Sequence, residues 1–310
     1  MPTAALKTLG CKLNQYETEQ MREQLQRLGY AIVDFDSPAD LYIINSCTVT
    51  HHADRDTRRL ARRAKRAHPH AHVIVTGCYA EVAARELRAL PEISLVCGVA
   101  DKQRLGELVR GLFPTTCAAG PEGAESGEHG SHLLIGFAEH TRCFVKAQEG
   151  CNARCSYCIV PDARGPSRSV PPDEVVEQTR RLAVAGHPEI VLIGTHLGQF
   201  GRDLPEPTDL TALVRRLLAL PELQRLRLSS IEPCEISSEL VGLMAEGQTT
   251  REPKLCRHLH IPLQSGCDSV LRRMNRPYDT AFYAELIHRL HKVQPAAGLG
   301  ADVIVGFPGE

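Results

Sequence analysis

No stretch of this 310-residue chain approaches the roughly 18 consecutive apolar residues of a membrane-spanning helix. Met1 to Gly10 lacks the basic start and long apolar run of a secretory leader. Charge of one sign is not in excess either. A formal net charge of −1 excludes a chain that is basic throughout and confines any RNA contact to a local patch. Repeats of solenoid period are absent. These absences lead us to expect a cytoplasmic protein with no membrane partner, in a compartment that keeps thiols reduced. Against them stand 12 cysteines. Disulfides explain these poorly in a reducing compartment, so metal or redox chemistry is the better reading for about half of them, with the rest as small buried hydrophobes. An apolar content of 43% is enough for real cores, and the length suggests about two domains.

Apolar runs and amphipathic stretches alternate through the first 112 residues. Strands are expected at Ala4–Leu9, Leu41–Asn45, Val73–Thr76 and Ile93–Cys97, with a weaker one at Ala31–Val33. Helices are expected at Tyr16–Leu28, Ala53–Ala67, Ala80–Leu90 and Lys102–Leu112. This βα alternation predicts an open parallel sheet with helices on both faces. Residues 115–132 are rich in Gly, Ser and Glu without a period and read as a flexible linker. The domain expectation is therefore 1–114, a linker at 115–132, and 133–310. In the last segment strands are expected at Cys143–Ala147, Ile190–Ile193, Leu226–Ser229, His258–Ile261 and Ala301–Val305. Helices are expected at Pro172–Ala185, Leu210–Leu218, Ser238–Met244, Ser269–Met274 and Thr280–Val293. The fold class is α/β, with the parallel-sheet domain followed by a partial (β/α) barrel truncated after its fifth strand. A strand left at the end of the chain, at Glu310, leads us to expect a partial enzyme.

Cys151, Cys155 and Cys158 sit in one loop after the first strand of the second domain, at the spacing C-x3-C-x2-C. A compact loop offering three thiolates suits an iron–sulfur cubane with one open iron, whereas ferredoxin-type sites close all four positions. Zinc is the alternative, with nearby His140 as a fourth ligand. A second set is dispersed. Cys11, Cys47 and Cys78 each follow the end of an apolar strand and precede a helix. Such positions gather at one edge of an open parallel sheet, and a helix N-terminus favours the thiolate. They are either a shared metal site, with Cys97 as a rival ligand, or ordinary small residues at crowded turns. Cys117, Cys143, Cys234, Cys256 and Cys267 show no ligand pattern. His51 and His52 read as surface residues, and His258 and His260 leave both readings open.

The loop Cys151-Asn152-Ala153-Arg154-Cys155-Ser156-Tyr157-Cys158, with Tyr157 ahead of the last cysteine, resembles the radical S-adenosylmethionine (SAM) superfamily. That resemblance implies a [4Fe–4S] cluster whose open iron chelates SAM, and reductive cleavage of SAM to a deoxyadenosyl radical. The stretches Gly10-Cys11-Lys12-Leu13-Asn14-Gln15-Tyr16-Glu17, Asn45-Ser46-Cys47-Thr48-Val49-Thr50 and Thr76-Gly77-Cys78-Tyr79-Ala80 resemble the N-terminal domain of the methylthiotransferases. So do Pro161-Asp162-Ala163-Arg164-Gly165, Ser229-Ser230-Ile231-Glu232-Pro233, Ile261-Pro262-Leu263-Gln264-Ser265-Gly266 and the segment from Asp302 to Glu310. The resemblance spans nearly the whole chain except the linker.

It implies a second, auxiliary [4Fe–4S] cluster on Cys11, Cys47 and Cys78. It implies methylation of a sulfur there by one SAM, and radical chemistry at a purine carbon by another. The Cys-Lys-Leu-Asn-Gln-Tyr-Glu stretch, and Cys-Thr-Val-Thr followed by Ala53-Asp54, are most similar to the type acting on threonylcarbamoyladenosine next to the tRNA anticodon. The other types act on isopentenyladenosine tRNA or on a ribosomal-protein aspartate. A reading of another class is a non-catalytic iron–sulfur or zinc-binding fragment. Intact family members carry a final barrel strand and a small RNA-binding β-barrel.

SAM contacts are implied at Gly194, Thr195, His196, Ser229, Ser230, Glu232, Ile304 and Gly306. Implied partners are tRNA and an electron donor such as a flavodoxin or ferredoxin. Seven Lys/Arg fall between Arg55 and Arg66 with only Asp56 opposing them, and most share a helical face, so Arg59, Arg62 and Arg63 are candidate phosphate contacts. The alternative is a solvated surface helix. Arg164 and Arg168 are further candidates to hold substrate. Asp162 stands where the family carries an aromatic residue, so stacking on substrate is not implied at that position.

Overall fold

A computed structural model describes residues 1–112, 134, 141–246 and 253–310. The expected linker, Cys117 and His140 lie outside the described residues. The chain divides into two compact units, Met1–Leu134 with Asp162–Arg164, and Ile135–Pro161 with Gly165–Glu310. Among the described residues no helix is long and apolar enough to cross a membrane.

The first unit holds five strands, β1 (Thr3–Thr8), β2 (Ala31–Val33), β3 (Leu41–Ser46), β4 (His72–Gly77) and β5 (Leu95–Val96). All pair in parallel, in the order β2-β1-β3-β4-β5. The central strands β3 and β4 are buried on both faces, so their side chains alternate between two cores. Tyr42, Ile44, Val73 and Val75 meet Leu60, Ala61 and Ala64 of the helix His51–Ala67. Leu41, Ile43 and Ile74 meet Met21 and Leu25 of the helix Lys12–Arg27, together with Leu105 and Val109. Thr50 caps the helix His51–Ala67 by accepting from the Ala53 N–H. The expected helix Ala80–Leu90 is two short ones, Cys78–Val82 and Ala84–Arg88, because Ala83 leaves helical geometry at φ −121° and ψ 36°. The stretch expected as Lys102–Leu112 opens as a 3-10 turn, Ala100–Arg104, and continues as the helix Leu105–Leu112.

The second unit carries β6 (Arg142–Glu149), β7 (Arg168–Ser169), β8 (Glu189–Gly194), β9 (Leu226–Leu228), β10 (His258–His260) and β11 (Gly298–Gly300). Strands β6, β8 and β9 run parallel, and β10 pairs with β11 in parallel. Backbone bonds link the two groups: Leu226 N–H donates to Lys254 O at 2.7 Å, and Ile231 N–H to His260 O at 3.0 Å. The result is a partial barrel with helices between its strands. The two-residue β7, antiparallel to β6, is an addition to the expected pattern. The last strand also differs from expectation. Gly298–Gly300 pairs with β10, whereas Ala301–Val305 makes only an isolated bridge at Val303. Val303 and Val305 are exposed, so their alternating apolar pattern buries nothing.

Candidate active site

In the first unit the sheet order reverses direction between β1 and β3, the switch point where open α/β sheets place ligands beyond the strands' C-terminal ends. Cys11 follows β1, Cys47 follows β3, and Cys78 follows β4. Two glycines make those turns. Gly10 has φ +97°, and a Cβ there would lie 2.7 Å from both the Cβ and Sγ of Cys47. Gly77 has φ +98°, and a Cβ would lie 2.4 Å from Ser46 O. Only glycine meets both demands. Asn14 ties the strand ends together, with its Nδ2 donating to Leu9 O at 2.7 Å and Ser46 O at 3.0 Å. Ser46 Oγ donates to Thr76 O at 2.6 Å.

The thiols of Cys47 and Cys78 are buried, and burial pushes both pKa values up, with the neighbouring Cys11 adding to the rise. The expected lowering by a following helix is outweighed: the helix that begins at Cys78 is only five residues long, and Cys47 is separated from its helix by Thr48–Thr50. Cys97 belongs to the apolar core beneath β5, where burial pushes its thiol up to about 12. It packs as a small hydrophobe and is not a ligand candidate.

In the second unit the three-cysteine loop leaves the C-terminal end of β6. Gly150 has φ +75°, and a Cβ there would sit 1.9 Å from Pro166 O. Gln148, fully buried, donates to Glu149 O, Gly150 O and Ser167 Oγ, and accepts from the His196 N–H at 2.8 Å. The loop's far side is held by the chain after Asp268–Arg273: Ser156 Oγ donates to Arg273 O at 2.8 Å, and Asn275, at φ +58°, donates to Arg154 O at 2.9 Å. Two side chains reach the thiols. Arg276 donates to Cys155 Sγ at 3.2 Å, pairs with Glu232 and lies over the Tyr278 ring. His196 Nδ1 stands 3.2 Å from Cys151 Sγ, and its Nε2 forms an ion pair with Glu235 at 2.9 Å. Burial opposes a charge on His196, but Cys151 and Glu235 outweigh it and hold its pKa up at about 10. Burial also pushes the Cys158 thiol up.

Among the described residues no three or more His, Cys, Asp or Glu converge closely enough to hold a single metal ion. A cubane does not require that convergence, because each thiolate binds a different iron. Cation donors on Cys155 and Cys151, and thiols without a completing carboxylate, fit a charged cluster. Among the described residues buried Thr195 Oγ1 and Ser229 Oγ find no hydrogen-bond partner, as expected of groups that face a polar ligand.

The remaining expected SAM contacts fall at neighbouring strand ends. Gly194 closes β8, Ser230 Oγ meets His260 Nδ1 at 2.8 Å, and Glu232 is engaged by Arg276. Ile304 N–H donates to Gln264 O at 2.8 Å, and Gly306 has φ +73°. Sequence reasoning missed Gln148, Glu235 and Arg276. The one available signal was the polar Gln148 at the end of β6, just ahead of Gly150 and the three-cysteine loop.

The basic helix is less one-sided in space than in sequence. Arg58 pairs with Glu86 at 2.9 Å, Arg59 with Asp56 at 3.0 Å, Arg62 with Glu92 at 3.7 Å and Arg63 with Asp36 at 2.6 Å, while Arg59, Arg62 and Arg63 stay largely exposed. Arg168 is exposed on β7. Arg164 departs from expectation. It is 4% exposed and grouped with the first unit, where it donates to Glu17 Oε1 at 2.8 Å and Asn14 Oδ1 at 2.6 Å. A guanidinium committed in this way does not reach substrate.

Comparison with known proteins identifies the family and the fold. Residues 145–310 match the radical SAM superfamily, and residues 3–98 match the Uncharacterized protein family UPF0004. The fold is that of the cobalamin-dependent SAM radical enzyme OxsB, with a TM-score of 0.61 at 13% identity over 98% of this chain; the chain spans 49% of OxsB. This is a radical SAM enzyme, of a superfamily that uses SAM and a [4Fe–4S] cluster. The chain is 39% identical to the threonylcarbamoyladenosine tRNA methylthiotransferase MtaB of Bacillus subtilis, over 100% of its own length and 68% of the relative's. It is 37% identical to the MtaB of Aquifex aeolicus, over 99% and 73%. The chain belongs to the radical SAM methylthiotransferase family.

Proposed function

We propose that the protein converts N6-threonylcarbamoyladenosine, next to the anticodon of tRNA, to its 2-methylthio derivative. The observation that carries this reading is similarity, along the whole of this chain and 68% and 73% of the relatives, to two proteins named for that reaction. It is supported by two sets of three cysteines, one in each unit. In this reading Cys151, Cys155 and Cys158 hold the [4Fe–4S] cluster of the 133–310 domain. Cys11, Cys47 and Cys78 hold a second one in the 1–114 domain. When bound and reduced, the first cluster would supply the electron that cleaves SAM to methionine and a deoxyadenosyl radical, chemistry suited to a carbon that no side-chain base deprotonates.

The chain's own groups then have definite tasks. Arg276 and His196 place positive charge on Cys155 and Cys151. Gln148 fixes the loop's entry. Thr195 and Ser229 offer unsatisfied hydroxyls to SAM, Gly194 lets its methionine end approach the backbone, and Ser230, Glu232, Ile304 and Gly306 line the neighbouring strand ends. Arg59, Arg62, Arg63 and Arg168 are the proposed phosphate contacts of tRNA. The electron comes from a flavodoxin or ferredoxin in the cytoplasm.

The test is nucleoside mass spectrometry of tRNA from a strain lacking the gene, with and without this chain restored. The 2-methylthio derivative of threonylcarbamoyladenosine should vanish and return. Loss of the isopentenyladenosine derivative instead, or of a methylthiolated ribosomal aspartate, contradicts the assignment.

A further inference from the structure

The chain after β9 makes a 3-10 turn, Pro233–Glu235, with a carboxylate at each end, on Glu232 and Glu235. The Glu235 N–H closes the turn on Glu232 O at 2.9 Å. Each carboxylate holds a nitrogen-bearing side chain, and each of those side chains meets a different thiol of the three-cysteine loop. Glu235 pairs with His196 Nε2 at 2.9 Å, and Nδ1 of the same ring stands 3.2 Å from Cys151 Sγ. Glu232 pairs with Arg276 Nη2, and Nη1 of the same guanidinium donates to Cys155 Sγ at 3.2 Å. The side chains of His196, Glu235 and Arg276 are 9%, 8% and 4% exposed.

Two ion pairs at such burial are a costly way to stabilise a fold, because desolvation offsets much of their attraction. Their common end point on thiols gives them another use. A carboxylate behind a nitrogen donor fixes which atom and which orientation the donor presents to a metal site. The packing around each pair serves that end. A Cβ on Gly198 would collide with the Glu235 carboxylate, so glycine there lets the segment that carries His196 close on its partner. Tyr278 completes the grip on Arg276, with its hydroxyl accepting from Nε at 3.1 Å and its ring 5.0 Å from the guanidinium. We propose that Glu235 and Glu232 are positioning residues of the loop cluster: Glu235 acts through His196 on Cys151, and Glu232 through Arg276 on Cys155. Glu232 is then committed to Arg276 and not to SAM. These roles rest on the reading above that Cys151, Cys155 and Cys158 hold a cluster.

The test uses the full chain with Cys11→Ala, Cys47→Ala and Cys78→Ala as parent, so that iron comes from the loop site alone. After anaerobic reconstitution, the rate of iron loss to a chelator, the electron paramagnetic resonance signal of the reduced cluster and the binding of SAM are measured. Glu235→Gln and Glu232→Gln, which keep the side-chain shape, should each speed iron loss about tenfold. Glu235→Gln should add little to His196→Gln, and Glu232→Gln little to Arg276→Met, whereas the effects of Glu235→Gln and Arg276→Met should multiply. The resonance signal should shift in Glu235→Gln and in His196→Gln, and no further in the double variant. A glutamate that only supports the fold multiplies its effect with every partner and leaves the signal in place, so multiplied losses within both pairs overturn the proposal. Parent-like iron loss in either glutamate variant overturns that arm, and weakened SAM binding at parent-like iron loss in Glu232→Gln makes Glu232 a SAM contact instead. The two arms are read separately, so a variant that fails to fold in one leaves the other decisive. A parent without iron overturns the loop-cluster reading itself, and both roles with it.

Discussion

In the proposed reading the two sets of cysteines would reach comparable chemistry by opposite routes. Cys151, Cys155 and Cys158 lie within eight residues on one loop, shaped by Gly150 and gripped by Gln148, Arg276 and Asn275. Cys11, Cys47 and Cys78 are spread over 68 residues and meet only because three parallel strands end side by side. The loop site is defined locally and leaves its cysteines half-buried. The sheet site is defined by tertiary structure, and two of its three thiols are buried. Burial raises the thiol pKa of Cys47 and Cys78 in the sheet site and of Cys158 in the loop site.

The comparison is broken most sharply by cysteine substitution. Cys158→Ala should reduce SAM cleavage to background in an anaerobic, reduced assay for deoxyadenosine. Cys47→Ala should leave deoxyadenosine release but abolish the methylthiolated product. Equal loss of both activities in both variants would erase the division of labour. The turns come next. Gly150→Ala drives a Cβ to 1.9 Å from a carbonyl at φ +75° and should cost more than about 2 kcal/mol in urea denaturation. Gly10→Ala meets the Cβ and Sγ of Cys47 at 2.7 Å and is strained at φ +97°, so it should also destabilise, by less than Gly150→Ala because its nearest contact is longer. Gln148→Ala removes three donated bonds and one accepted bond and should cost about 1–3 kcal/mol, with weakened iron retention in the loop site only.

The smallest effect lies away from both sites. Burial would raise the pKa of Glu189, but Arg227 at 2.6 Å, with Arg142 and Arg225, holds it below the ordinary value of about 4.3. Its stabilising contribution is present above that value and is lost as pH falls through the lower folded pKa. Glu189→Gln should therefore flatten the acid limb of the denaturation midpoint against pH.

What the sequence made legible follows the same divide. The loop's spacing pointed to its chemistry without any fold. The helix Thr280–Val293 was legible to the residue because Asp279 caps it by accepting from the Phe282 N–H at 2.8 Å. The dispersed cysteines were readable only as strand ends, and resemblance had to join them. The last strand was misplaced because pairing with β10, not local apolar alternation, selects Gly298–Gly300. Arg164 read as a substrate contact because nothing local announces a partner 147 residues away in Glu17. Arg276 and Glu235 were hidden for the same reason.

The central claim is that each unit holds its own cluster on its own three cysteines. Iron and sulfide content of the anaerobically reconstituted chain tests it most directly, in Cys11→Ala/Cys47→Ala/Cys78→Ala and in Cys151→Ala/Cys155→Ala/Cys158→Ala. The account predicts that each triple variant keeps about half of the parent's iron and sulfide. Full parent content in the first variant, with none in the second, would contradict it.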